Sequence, residues 1–161
     1  MAVVQSTYSE RMPTAVAGLV ADMRNYDGIS RNCETAAGIG FGLAVGRGDT
    51  NPATGAKLGG TLVDFLGVSQ RDVTLEANAT PDEYQQNTEM GILTQGTIWV
   101  EVSGTPGPDN AVHYDATTGV FASSGGSGPV VGARWMTTTV TLQFGKSLCK
   151  LHLGGNNQAA A

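Results

Sequence analysis

The sequence predicts an all-β protein, a sandwich or small barrel behind an extended N-terminal arm, and three observations carry that expectation. From Ala36 onward the chain is a succession of short β-prone runs bounded by glycine. Its 23 glycines accompany only 14% charged residues, against about 25% in ordinary globular chains, a mixture that favours turns and short strands over exposed amphipathic helices. Val140-Thr141-Leu142-Gln143-Phe144 alternates strictly, which puts Val140, Leu142 and Phe144 on a buried face and Thr141 and Gln143 on the other. Many short strands with turns between them build layered or closed sheets, not alternating βα units.

Residues 1–35 differ in texture from the rest. Tyr8, Met12, Val16, Leu19, Val20 and Met23 recur at three- and four-residue spacing, the pattern of an amphipathic helix. Pro13 and Gly18 interrupt it, and an arm lying extended on a partner would use the same apolar residues without helical continuity. An arm over residues 1–35, a β domain over 36–154 and a disordered tail over 155–161 is the resulting division.

Within the domain, strands are expected at Phe41–Val45, Thr61–Val68, Ile98–Val102, Ala111–Tyr114, Val130–Trp135, Val140–Phe144 and Leu148–Leu153. Asp49–Gly55 supplies turn formers throughout and reads as an exposed loop. Ser123–Gly128 reads as a flexible loop by composition. Gly145-Lys146 suits a type II′ turn into the last strand.

Bulk properties exclude several functions. With 161 residues, 40% of them apolar, the chain has enough material for one core without disulfides or metals. A net charge of −5 and singly scattered basic residues oppose a nucleic-acid partner. No run approaches the roughly 18 apolar residues of a membrane span. The N-terminus lacks the basic and apolar regions of a secretory signal, so the product is expected to stay in the cytoplasm where it is made. Cys33 and Cys149 lie far apart without Cys-x-x-Cys partners and read as buried thiols, with one long-range bridge left open.

Catalytic and metal signatures are equally sparse. His113 and His152 lack a second histidine at ligand spacing, and no Gly-x-Ser-x-Gly elbow exposes a serine. The glycines at Gly38, Gly40 and Gly42 are followed by no Gly-Lys-Ser/Thr, so they read as bends in a curved sheet and not as a phosphate loop. Asp109, Asp115 and Asp82-Glu83 lack calcium-loop spacing. No catalytic residue, metal or cofactor is therefore expected. Trp99 and Trp135 each sit in a β-prone run and are core residues or interface anchors. As an exposed stacking platform, either would suit a carbohydrate- or protein-binding β-sandwich module of a surface protein.

The order of several phrases carries a resemblance. Ile39-Gly40-Phe41-Gly42-Leu43-Ala44-Val45 is followed by Phe65–Thr74, Gly96-Thr97-Ile98-Trp99-Val100, Val112-His113-Tyr114-Asp115 and Gly119-Val120-Phe121. Gly132-Ala133-Arg134-Trp135 and Cys149–Leu153 close the series. From about Ile29 to Leu153 the chain resembles the structural cement, or decoration, proteins of tailed-bacteriophage heads. It departs in Gly40, where proline is expected, and in an insertion over Asn51–Gly60.

The resemblance implies a β-barrel or β-tulip-like domain on the outer surface of the expanded head, commonly a homotrimer, stabilising the shell against internal DNA pressure. The major capsid protein would be the partner, and the virion the location. Tyr8, Met12, Val16, Leu19 and Met23 would anchor the arm on it. Deleting residues up to about Asp27 is expected to leave a folded domain with little shell affinity.

Overall fold

The computed structural model describes residues 15–74, 82–141 and 146–154, and among these there is no helix. The described part of the arm segment contains β1 (Val20–Cys33), the longest strand. It is followed by β2 (Ile39–Gly40), β3 (Ala44–Arg47), β4 (Gly55–Leu58) and β5 (Phe65–Ser69). Next come β6 (Glu83–Tyr84), β7 (Glu89–Glu101), β8 (His113–Tyr114) and β9 (Phe121–Ala122). The last three are β10 (Ala133–Trp135), β11 (Val140–Thr141) and β12 (Ser147–Gly154). Leu142, Phe144 and Gly145, singled out for a strand and a turn, lie outside the described residues, as do Tyr8, Met12 and the tail over 155–161.

The main sheet runs β1-β4-β3-β5-β7-β12-β10, with β11 also on β12. Its pairings are antiparallel except β1 with β4. Because β1 also pairs with β7, the five strands β1, β4, β3, β5 and β7 close into a ring, and β12, β10 and β11 extend the sheet beyond it. β2 with β6 and β8 with β9 add two short ribbons. The all-β, sandwich-like expectation is met.

A strand has two edges for hydrogen bonding. Along β7, β1 occupies one edge from Glu89 to Ile98, so β5 at Ile92–Leu93 and β12 from Gln95 to Glu101 share the other in succession. Side chains alternate faces along a strand, yet Leu93, Ile98 and Val100 all enter the same main core although their parity differs. The alternation is reset at Gly96, whose φ of +129° is a region that L side chains rarely adopt. One strand thereby serves two cores: Met90 and Ile92 belong to the second, with Cys33, Ile39, Phe41, Val45, Ala56 and Tyr84.

The main core is built on aromatic contacts. Phe65 and Tyr114 have ring centroids 5.2 Å apart, Tyr114 and Phe121 6.0 Å, and Phe121 and Trp135 6.5 Å. β12 feeds it Cys149, Leu151 and Leu153 while Lys150 and His152 face outward, the alternation that its sequence announces. In the second core Phe41 meets Tyr84 edge-on at 5.3 Å, and the Tyr84 hydroxyl donates to the Gln70 carbonyl at 2.9 Å. The buried Ser69 hydroxyl donates to the Gly40 carbonyl at 2.7 Å and accepts from the Leu43 amide at 3.0 Å. That satisfies a polar group whose burial would otherwise cost about 1–3 kcal/mol.

Two loops are tied down by single side chains. The Glu34 carboxylate accepts from the Thr50 and Asn51 amides at 3.0 and 2.9 Å and fixes the exposed 49–54 loop. The segment over 123–128, flexible by composition, is anchored where the Ser127 amide and hydroxyl both donate to the Tyr114 carbonyl, at 3.0 and 3.2 Å.

If Gly96 resets β7, Gly96→Ala should lower unfolding free energy by about 1–3 kcal/mol, the usual cost of a disfavoured backbone region. Gly107→Ala, at a glycine outside the positive-φ set with only the Asn110 side chain within 4 Å, is the control and should cost little. Chemical denaturation measures both, and equal midpoints for the two variants would refute the role given to Gly96.

Candidate functional site

The described start of the chain folds over the outer side of β7 and β12. Ala15 is 2% exposed and packs with Trp99 and Leu148, flanked by Ala17, Ala21 and Val140. The Leu19 amide donates to the Val16 carbonyl at 3.1 Å, closing a tight turn with Gly18 third, at φ +75°. A type II turn requires positive φ at that position. Gly18 has no room either: a Cβ would lie 2.8 Å from both the Arg71 amide nitrogen and the Phe41 Cβ. Around it, the Gly18 amide donates to the Trp99 carbonyl at 2.8 Å, the Trp99 amide to the Leu19 carbonyl at 3.0 Å, and the Arg71 amide to the Gly18 carbonyl at 2.8 Å.

Beyond the turn, β1 leaves its ladder. Asp22 stands opposite Thr97 and Asp27 opposite Gln95, so Met23, Arg24, Asn25 and Tyr26 face Gly96 alone and are pushed outward as an excursion. Asn25 turns the backbone with φ +50°, a region asparagine tolerates better than most residues. Side chains brace both ends. Arg24 donates through its amide and Nε to the two Asp22 carboxylate oxygens at 2.9 and 2.6 Å, and these bonds hold the Asp22 carboxyl below its ordinary pKa. The Tyr26 hydroxyl meets the Gln70 amide group, 3.0 Å from its nitrogen.

The result is a braced protrusion with an apolar surface: Met23 is 76% exposed, Leu19 48% and Tyr26 44%. Burying such a side chain against a partner is worth about 1.5–3 kcal/mol. Of the arm residues read from the sequence, Leu19 and Met23 are therefore open to a partner and Val16 is half-buried. Tyr8 and Met12 lie outside the described residues. Tyr26 escaped the sequence reading, which followed helical spacing, although an aromatic residue in the polar run Arg24–Asp27 was a usable signal.

The remaining candidates are internal. Trp135 is 2% exposed, with Nε1 donating to the Ala111 carbonyl at 3.2 Å. Trp99 is 8% exposed, with the Lys150 ammonium 5.2 Å from its ring centroid. Neither indole offers an open face for a sugar ring. Cys33 and Cys149 are free thiols buried in different clusters, and burial raises the pKa of each. Among the described residues, no group of three or more His, Cys, Asp or Glu side chains is arranged to hold a metal.

Comparison with known proteins adds a family. The phage family model described as "Structural cement protein (E217 gp24/Pam3 gp6)" matches residues 4–154. No curated protein matches the sequence. Among solved structures, a chain from "The capsid of Myoviridae Phage XM1" superposes with a TM-score of 0.68 at 13% identity, over 96% of this chain and 99% of that one. At that identity the likeness speaks for the fold.

His152 gives this face a pH response. Its Nδ1 lies 3.1 Å from the Thr97 hydroxyl. Burial foremost, then the Arg134 and Arg24 charges, push the imidazole below its ordinary 6.5, with Asp22 acting the other way. The folded state then binds fewer protons than the unfolded chain, so stability is lost as pH falls through 6.5 and the loss levels off below the folded pKa. His152→Gln should remove this component, and unfolding midpoints followed from about pH 8 to about pH 5 should drop less in the variant. Equal drops in the two proteins would count against the assignment.

Proposed function

The chain belongs to the structural cement protein family of phages, and from that premise we propose how its surface performs the role. Cement is a structural function, and the place of the protein is the capsid of the virion. We read the partner as the major capsid protein, the binding face as the outer surface of the expanded head, and the role as holding the shell against internal DNA pressure, without catalysis. The observation that carries the reading is the family match across residues 4–154, which takes in both the β body and the segment before it.

The physical mechanism is mass action. A protein that binds the expanded shell and not its precursor or its dissociated subunits stabilises that shell by its binding free energy at the prevailing concentration. Contacts can be individually weak if several act together, because linking them converts later binding events into intramolecular ones. A trimer would supply that linkage, and we adopt the trimer as part of the proposal. Along each copy, the anchors would run from Tyr8 and Met12 through Val16 to the exposed Leu19, Met23 and Tyr26.

The braced excursion limits what binding must pay in entropy. Ordering a free backbone residue costs about 1–2 kcal/mol, whereas Met23 to Tyr26 are held in place by the Asp22–Arg24 and Tyr26–Gln70 contacts before any partner arrives.

Shell binding can be dissected by where the chain is cut. Removing residues 1–14 spares every described contact, while a cut at Asp27 would also take away Ala15 over Trp99 and the Val20–Asp22 pairing with β7. The double change Leu19→Ser with Met23→Ser should keep the unfolding free energy within about 1 kcal/mol, as exposed sites do, and the shorter deletion should leave a cooperatively folded protein. Each should weaken binding to expanded heads lacking this protein by about tenfold or more, the equivalent of about 1.4 kcal/mol. Co-sedimentation with such heads measures it, and undiminished binding by both variants would exclude these anchors.

A further inference from the structure

On the cement reading just given, we propose that the outer face of β10 and β12 is a second contact with the capsid protein, a docking site for an extended acidic segment. The register defines the face. Arg134 of β10 lies opposite His152 of β12, which lies opposite Thr97 of β7, which lies opposite Asp22 of β1, one row across four strands. Two residues further along, Lys150 lies opposite Trp99. The intervening side chains, Trp135, Leu151, Cys149, Ile98 and Val100, point into the main core, so this row and its neighbours form the opposite, outer face.

The charges on that face do not cancel. Its two carboxylates are each taken by their own cation: Asp22 by Arg24, and Glu101 by Lys146, whose ammonium is 2.9 Å away. Arg134 and Lys150 remain, and among the described residues neither has an ion pair. The face therefore carries a net charge of +2, from Arg134 and Lys150 with His152 neutral, on a molecule of net charge −5. An acidic segment is attracted to this face and repelled by the surface as a whole, which orients it.

Two further features suit a segment in extended form. β10 ends the sheet, with no described strand beyond it, and its Ala133 amide already donates to the Val130 carbonyl at 3.3 Å, so an added strand would pair beyond that residue. Met136 is 40% exposed on the same side as Arg134, and Val131, 46% exposed, lies just before β10, giving apolar footing beside the cations. Lys150 is already positioned by the Trp99 ring beneath it.

Arg134→Glu tests the proposal at an exposed residue, with Arg47→Glu, exposed at the end of β3, as the same charge change elsewhere. Lys150→Gln is the second variant, and unfolding midpoints confirm that each folds. The probe is expanded heads lacking this protein, titrated at several salt concentrations. Wild-type binding should weaken with salt, and Arg134→Glu should bind at least tenfold more weakly with a shallower salt dependence. Lys150→Gln should do the same to a smaller extent, and Arg47→Glu should behave as wild type.

Equal effects of Arg134→Glu and Arg47→Glu, or none from Arg134→Glu and Lys150→Gln, would overturn the docking site and leave the cement reading standing. Failure of the wild-type chain to bind heads would instead defeat the reading on which it rests. Salt-sensitive self-association of the wild-type chain that Arg134→Glu abolishes would overturn the proposal in favour of a second copy. Retention of duplex DNA that Arg134→Glu abolishes would overturn it in favour of nucleic acid.

Discussion

The rest of the molecule depends on the double use of β7. One edge is taken by β1 along most of its length, and the other is divided between β5 and β12. The first pairing closes five strands into a ring, and the division on the other side launches the β12–β10 extension from the same strand. An open sheet of this size would expose a long unpaired edge, a standing invitation to aggregation. Here β7 is paired on both edges and the edge left at β10 is three residues long, while β1 meets β4 only at Asn32 and Cys33 and otherwise pairs with β7 alone. The reset at Gly96 lets the ladder continue while its side chains change sides, so two hydrophobic clusters share one backbone spine.

That construction also decides what is left for a partner. Both cores are filled from within, by an aromatic file through Phe65, Tyr114, Phe121 and Trp135 on one side and by the Phe41–Tyr84 pair on the other. Outside lie the Leu19–Tyr26 stretch and the outer face of β10 and β12, besides the single exposed side chains of Val63 and Val73. The two are joined through the row that ends in Asp22. A structural protein that acts by contact needs this arrangement: a body indifferent to its surroundings, and a limited surface whose burial does useful work.

The fold was partly legible. The second half of β7 announces itself by its β-branched and aromatic residues and β12 by apolar–polar alternation from Cys149 to Leu153, and both form where expected. β1 does not, because Asp22 to Ser30 is polar and glycine-containing; tertiary pairing with β7 overrides its weak intrinsic preference. β4, Gly-Ala-Lys-Leu, lies inside the Asn51–Gly60 insertion and has too few residues to show a period. The surface was legible only where it is local. Leu19 and Met23 stand out as apolar residues in a helix-poor segment, but Arg134 and Lys150 come to share one face only across strands, and no linear pattern encodes that. For Trp99 and Trp135, the β-prone runs around them favoured the core with an interface anchor as the alternative, and packing decided for the core.

β1 is both the strand that carries the exposed tip and the strand that closes the ring, which gives the molecule a mechanical character. A pull on the segment before Val20 enters β1 at its end and runs along its axis, against an antiparallel neighbour registered from Val20–Ile98 to Asn32–Glu89. In that geometry the uninterrupted ladder from Gly28–Leu93 to Asn32–Glu89 is loaded in shear, where a pull across the strands would open its bonds one at a time. Tension entering at Val20 is thereby met first by the Val20–Asp22 pairing and, past the Met23–Tyr26 excursion, by the continuous ladder that follows Gly28.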